Sequence, residues 1–125
     1  MAKATAFEFY QYSKLTDYPD GPTLAVAADV LAIPLTHPYI IKTTGGDAEA
    51  LTLANGVPGQ TIQIELRTDG GGDGTLTPAT ATGWSTILFA DAGDCARLGY
   101  VDDTVGWIIL GVWGLTAQPT VAAPA

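Results

Sequence analysis

Gln60-Thr-Ile-Gln-Ile-Glu-Leu-Arg-Thr-Asp-Gly-Gly-Gly-Asp-Gly-Thr-Leu-Thr-Pro78 is the stretch whose reading decides the fold. Ile62, Ile64 and Leu66 alternate with Thr61, Gln63, Glu65 and Arg67, the period of a strand with one buried and one wet face. Asp69, Gly70, Gly71, Gly72, Asp73 and Gly74 then form a turn of residues that tolerate positive φ. Thr75-Leu76-Thr77 resumes an extended conformation, so the stretch reads as a hairpin.

Working outward, the flanks repeat this logic. Upstream, Val30–Leu35 and Tyr39–Thr43 read as strands set at an edge or at bends by Pro34 and Pro38. Leu24 to Ala32 is helix-tolerant, so a short helix competes for that segment. Ala48–Ala54 reads as a strand because Leu51 and Leu53 alternate around Thr52 and the run is too short to hold a helix alone. Downstream, Trp84–Ala90, Cys95–Tyr100 and Val105–Val112 read as strands separated by Asp91-Ala-Gly-Asp94 and Asp102-Asp103. In the last of them Trp107 and Ile109 share one face, and Ile108, Leu110 and Val112 the other. A strand apolar on both sides is either central or covered by another subunit.

Eight or nine short strands with turn signals every eight to twelve residues predict an all-β domain, an antiparallel sandwich or barrel. Residues 1–22 read as an extended N-terminal arm, 23–116 as the β domain and 117–125 as a flexible tail. The arm holds Phe7, Phe9, Tyr10, Tyr12 and Tyr18. Phe7 and Phe9 would share one face of an extended segment, with Glu8, Tyr10 and Tyr12 on the other. It is either a first strand packed on its own core or an arm laid across a neighbour.

The chain has 125 residues, enough for one domain with a core that needs no metal or disulfide staple. Charged residues are 14% of it, against a usual share of about a quarter. Threonine outnumbers serine by 17 to 2, which favours strands over flexible linkers. Few charges on a folded domain point to surface presented to other protein, though threonine also suits an exposed sheet face. The net charge of −8 is scattered, with no basic footprint for nucleic acid or an anionic membrane. No apolar h-region marks a signal peptide, and the greasiest run, Val105 to Leu115, is too short to span a bilayer.

Chemistry finds little purchase. Asp69 to Gly74 has carboxylates on a glycine loop but neither the EF-hand spacing nor a repeated nonapeptide, so it reads as a turn and no cofactor or metal is expected. His37, the only histidine, lies in a turn and reads as solvated or hydrogen-bonded rather than as a metal ligand or catalytic base. Cys95, the lone cysteine, reads as a small buried hydrophobe. Ser13 and Ser85 sit in no nucleophile elbow, and the acids lie mostly in turns. Trp84, Trp107 and Trp113 read as packing residues rather than a sugar platform. The chain reads as no enzyme.

From Thr44 to Gly111 the order of motifs becomes informative. Thr-Gly-Gly, Ala-Leu-Thr-Leu-Ala-Asn-Gly, Pro-Gly-Gln-Thr-Ile-Gln-Ile, Thr-Asp-Gly-Gly-Gly-Asp-Gly-Thr-Leu-Thr-Pro, Phe-Ala-Asp-Ala-Gly-Asp and Gly-Trp-Ile-Ile-Leu-Gly follow one another. The series resembles a β-module of tailed-bacteriophage virion proteins, most closely capsid decoration (cement) proteins and head-fibre subunits. The resemblance implies a non-enzymatic homotrimer on the outer surface of an icosahedral capsid, bound to the major capsid protein where capsomers meet. It supplies no catalytic residues and does not extend to residues 1–43. On this reading Phe7, Phe9, Tyr10 and Tyr12 contact the shell or an adjacent copy, and Trp107, Ile109, Val112 and Trp113 pack between protomers. The alternatives are a glycan-binding head-fibre or tail-spike module and, third, a small β-sandwich hydrolase.

Overall fold

The computed structural model describes residues 21–124. Within them lie nine strands and no helix: β1 (Thr23–Val26), β2 (Tyr39–Thr43), β3 (Glu49–Leu53), β4 (Thr61–Thr68), β5 (Gly74–Pro78), β6 (Thr86–Phe89), β7 (Cys95–Tyr100), β8 (Trp107–Trp113) and β9 (Thr120–Ala122). They form two sheets, one ordered β1-β2-β4-β7-β8 and one ordered β3-β5-β6-β9. Neither sheet closes on itself, which is the arrangement of a sandwich. The all-β expectation holds.

Alternation places the core where the sequence puts it. Ile62, Ile64 and Leu66 of β4 are buried, while Thr61, Gln63 and Glu65 between them stay half-exposed. Leu51 and Leu53 of β3, Leu76 of β5 and Ile87 of β6 complete the opposite wall. Apolar burial of this kind stabilises by about 1.5–3 kcal/mol per large side chain.

The stretch from Gln60 to Pro78 is not a hairpin. β4 and β5 belong to different sheets, and Asp69–Asp73 carries the chain from one to the other. The chain between β2 and β3 makes the same crossing beside it. Thr44 N–H donates to Thr68 O (3.0 Å), Gly72 N–H to Gly45 O (2.9 Å) and Glu49 N–H to Asp73 O (2.8 Å). Because both crossings run in one direction, β2 is parallel to β4 and β3 is parallel to β5. A third chain follows the same path: β1 is parallel to β2, and Ala32 bridges Thr52 in parallel along the rim of β3. Three ribbons therefore turn one corner together, and the pairing is mixed rather than purely antiparallel.

The corner explains the glycines. A Cβ at Gly70 would run into the Thr44 carbonyl, and one at Gly72 into the Asp47 carbonyl. Backbone must meet backbone here, with no room for a side chain. Gly72→Ala should therefore cost about 1–3 kcal/mol, the usual penalty for overpacking, read as a lower urea midpoint at unchanged m-value. An unchanged midpoint would mean that the two crossings are not in contact.

Three further expectations are corrected. The helix-or-strand segment 24–35 holds β1 and then an irregular run. Asp29 has φ 66°, and Ile33 N–H to Thr52 O (2.9 Å) and Thr52 N–H to Leu31 O (2.9 Å) tie the rim to β3. Pro34 removes a donor, so Val30–Leu35 cannot continue a ladder. The tail also contains an edge strand, β9, pairing Ile87 with Val121, while Ser85 N–H donates to Ala122 O (3.0 Å). In β8 the register shifts: Arg97 opposes Gly111 and Leu98 opposes Ile109, so Leu110 bulges with no residue opposite. One inserted residue flips every later side chain.

Candidate functional site

That bulge decides which residues of β8 face outward. Ile109 and Val112 pack against the core cluster, so they share the inner face with Trp107. Trp113 turns outward instead and is 44% exposed, beside Leu110 at 51%. The expected division of faces is thus corrected beyond Leu110. Leu110 lies over Gly99 of β7, and Leu115, the most exposed large apolar side chain described, lies over Gly93. Leu110, Trp113 and Leu115 leave an apolar strip along the margin of the five-stranded sheet.

The strip continues across the outer face in two rows set by register. One row runs Ile41, Glu65, Cys95, Trp113; the next runs Tyr39, Gln63, Arg97, Gly111. Tyr39 is as exposed as Trp113. Arg67 pairs with Glu65 at the surface. Such exposed pairs contribute little to stability, so this face is shaped more by its aromatic ends than by its charges.

Trp107 belongs elsewhere. It is completely enclosed, with its ring centroid 5.1 Å from that of Tyr100 in an edge-on arrangement. Its Nε1–H donates to Ala54 O (2.9 Å), and its own carbonyl accepts from Trp84 Nε1–H (3.0 Å). Trp107 is therefore a seam between the sheets, and the expectation that it packs between protomers is corrected. Trp84, also buried, cannot join Trp113 in a three-tryptophan platform. Phe7, Phe9, Tyr10 and Tyr12 lie outside the described residues.

The acidic turns are occupied by their own backbone. Asp69 Oδ1 accepts from Gly71 N–H, Asp94 Oδ2 from Ala90 and Asp91 N–H, and Asp102 Oδ1 from Thr104 and Val105 N–H. Each carboxylate thus shapes a local turn. Among the described residues no three His, Cys, Asp or Glu side chains gather as metal ligands would. His37 Nδ1 lies 2.9 Å from the Thr36 hydroxyl. Tyr100 donates to Asp103; that bond, with burial and the charges of Asp103 and Asp102, pushes its phenol up to about 12.

Cys95 is buried beneath the outer face, and burial together with the neighbouring Glu65 carboxylate pushes its thiol up to about 11. Thiolate is the reacting species, so alkylation of the native protein at pH 8 should run about a hundredfold or more slower than in urea. Equal rates measured by mass spectrometry would show the thiol to be open.

Among the described residues, the one charged pair that is deeply buried sits at the corner. Lys42 Nζ donates to Ala27 O (2.7 Å) and Val30 O (2.8 Å) and lies 2.8 Å from Glu49 Oε1. Glu49 Oε2 accepts from Gly45 N–H (2.6 Å). Burial pushes the Glu49 carboxyl up, but the Lys42 bond, the Gly45 and Asp29 backbone bonds and the ammonium charge outweigh it and hold the carboxyl below its ordinary value. With the Lys42 ammonium hydrogen-bonded to two carbonyls and in ion-pair contact with Glu49, the pair fastens the three ribbons.

Comparison with protein-family models, curated proteins and solved structures finds no match for this chain.

Proposed function

We propose that this chain is a structural subunit that works by binding protein. Its proposed setting is the outside of an icosahedral phage head, where it binds the major capsid protein and its own copies at capsomer junctions and stabilises the shell. The observation that carries the protein-binding reading is the apolar strip of Leu110, Trp113 and Leu115 on a sheet margin. Clustered large apolar side chains on an otherwise acidic surface mark an interaction site. The phage setting is supported by the resemblance between residues 44 and 111. The assembly would be a homotrimer.

Purified protein is expected to sediment with empty heads and to raise the temperature at which they rupture. Trp113→Glu places a charge at the centre of the strip and should weaken binding about thirtyfold or more, the effect of losing an aromatic hot spot. Full-strength binding by that variant would remove the strip from the interface.

A second reading, a glycan-binding fibre module, is favoured by one observation. Tyr39 and Trp113 lie on one face with Gln63, Glu65 and Arg97 in the rows between them. Aromatic faces beside amide and charged groups suit sugar rings. On that reading Tyr39→Ala abolishes polysaccharide binding, whereas a decoration protein shows none to lose.

A further inference from the structure

We propose that residues 5–13 of one copy add as a strand to the margin of β8 in a neighbouring copy, joining molecules head to tail. The proposal names the contact for the self-assembly put forward above and depends on that reading only for its setting.

The first ground is the state of the β8 margin. β7 pairs with one side of β8; on the other, among the described residues, only the segment around Ala81 approaches, and only at Trp107. Residues 108–113 present an edge, a template for a further strand. Leu110 and Trp113 flank it, so an added strand gains apolar contact as well as main-chain bonds.

The second ground is the candidate strand. Twenty residues precede Gly21, and 5–13 read Thr-Ala-Phe-Glu-Phe-Tyr-Gln-Tyr-Ser. Phe7 and Phe9 alternate with Glu8, Tyr10 and Tyr12, a pattern suited to lying on an apolar strip. Charge does not drive the contact: residues 5–13 carry only Glu8, and residues 21–124 hold three bases against ten acids, so apolar and main-chain contacts carry it.

The third ground is placement. β1, where the segment enters the fold, and β8 are opposite margins of one sheet, four strand spacings or about 19 Å apart. Following the pairings, β8 runs parallel to β1, so the segment leaves at the end of the sheet where Trp107 begins β8. There the Ala81 segment already occupies the β8 margin, and a chain's own arm would have to climb over it. A neighbour's arm can enter from the Trp113 end, where no described strand pairs with that margin. Donor and acceptor on opposite margins make a heterologous contact, which closes into a ring when the rotation allows, a trimer among the possibilities.

The test uses the full chain without capsids. Sedimentation velocity should show association that rises with concentration. F7D/F9D and W113E should each weaken it about thirtyfold or more, with far-UV circular dichroism unchanged. Mixing these two variants should restore one contact per pair and give a dimer that grows no further. A symmetric contact between identical faces would give no such rescue and would overturn the proposal. So would a chain that stays monomeric while F7D/F9D exposes Trp113 to iodide quenching, the signature of an arm folded onto its own β8. A positive result beside failed capsid binding would leave this contact standing and remove the phage setting alone.

Discussion

Replacing Glu49 with Gln should lower the unfolding free energy by about 3–5 kcal/mol, the loss expected when one partner of a buried ion pair is removed. The substitution keeps the volume and leaves the Lys42 ammonium enclosed without its countercharge. Lys42 cannot relieve this by turning to water, because its remaining donors are committed to Ala27 O and Val30 O at the corner. The double variant Lys42→Met with Glu49→Leu removes both charges and should recover part of the loss. It should not recover all of it, since the Ala27 and Val30 carbonyls then lose a donor and Gly45 N–H its acceptor, at about 1–3 kcal/mol for each left unsatisfied. Urea midpoints in the order wild type, double variant, Glu49→Gln would bear out the account. A Glu49→Gln midpoint within error of wild type would sink it.

The same pair predicts a dependence on pH whose sign follows from linkage. Glu49 has an ordinary value of 4.5 and a lower one in the folded protein. Between the two values the unfolded chain binds more protons, so stability rises with pH in that interval. The contribution is complete above about pH 4.5 and is lost as pH falls through the depressed folded value. Glutamine mimics the protonated carboxyl and has no such transition. The stability gap between wild type and Glu49→Gln should therefore narrow below pH 4.5, while the titration of other acids cancels in the difference. A gap that stays constant down to pH 3 would mean that Glu49 does not ionise differently on folding.

How far the sequence could be read is visible in these residues. In Gln60–Arg67 the period of two is set by Ile62, Ile64 and Leu66, and burial follows it residue for residue. The hairpin reading failed because alternation is blind to which sheet a strand joins. Leu66 and Leu76 face the same core from opposite walls, and the glycines between them serve close contact with residues 44–48, far away in sequence. Residue type alone could not place the bulge at Leu110, because an extra residue in a wholly apolar strand leaves the pattern greasy on both sides. Val112 consequently changed faces. The Lys42–Glu49 pair did leave a signal that was passed over: Lys42 is in phase with buried Ile40, and Glu49 with Leu51 and Leu53. Opposite charges in phase with two buried faces imply that they meet.

Trp107→Ala should cost about 3–5 kcal/mol, the range for emptying a large aromatic site in a core. The ring is wholly enclosed and edge-on to Tyr100, so its removal leaves a cavity between the sheets that the strands cannot close without losing register. Part of the loss is polar, because Ala54 O no longer receives the indole N–H. Trp107→Phe isolates that part: it retains a ring and forfeits the bond, for about 1–3 kcal/mol. Dilution distinguishes a core role from an intersubunit one. A core residue gives the same stability loss at every protein concentration, whereas a residue packed between protomers gives one that shrinks as the assembly dissociates. Denaturation of wild type and Trp107→Ala over a hundredfold range of concentration should return one constant difference. A difference that vanishes on dilution would return Trp107 to the interface and remove it from the seam that holds the sheets together.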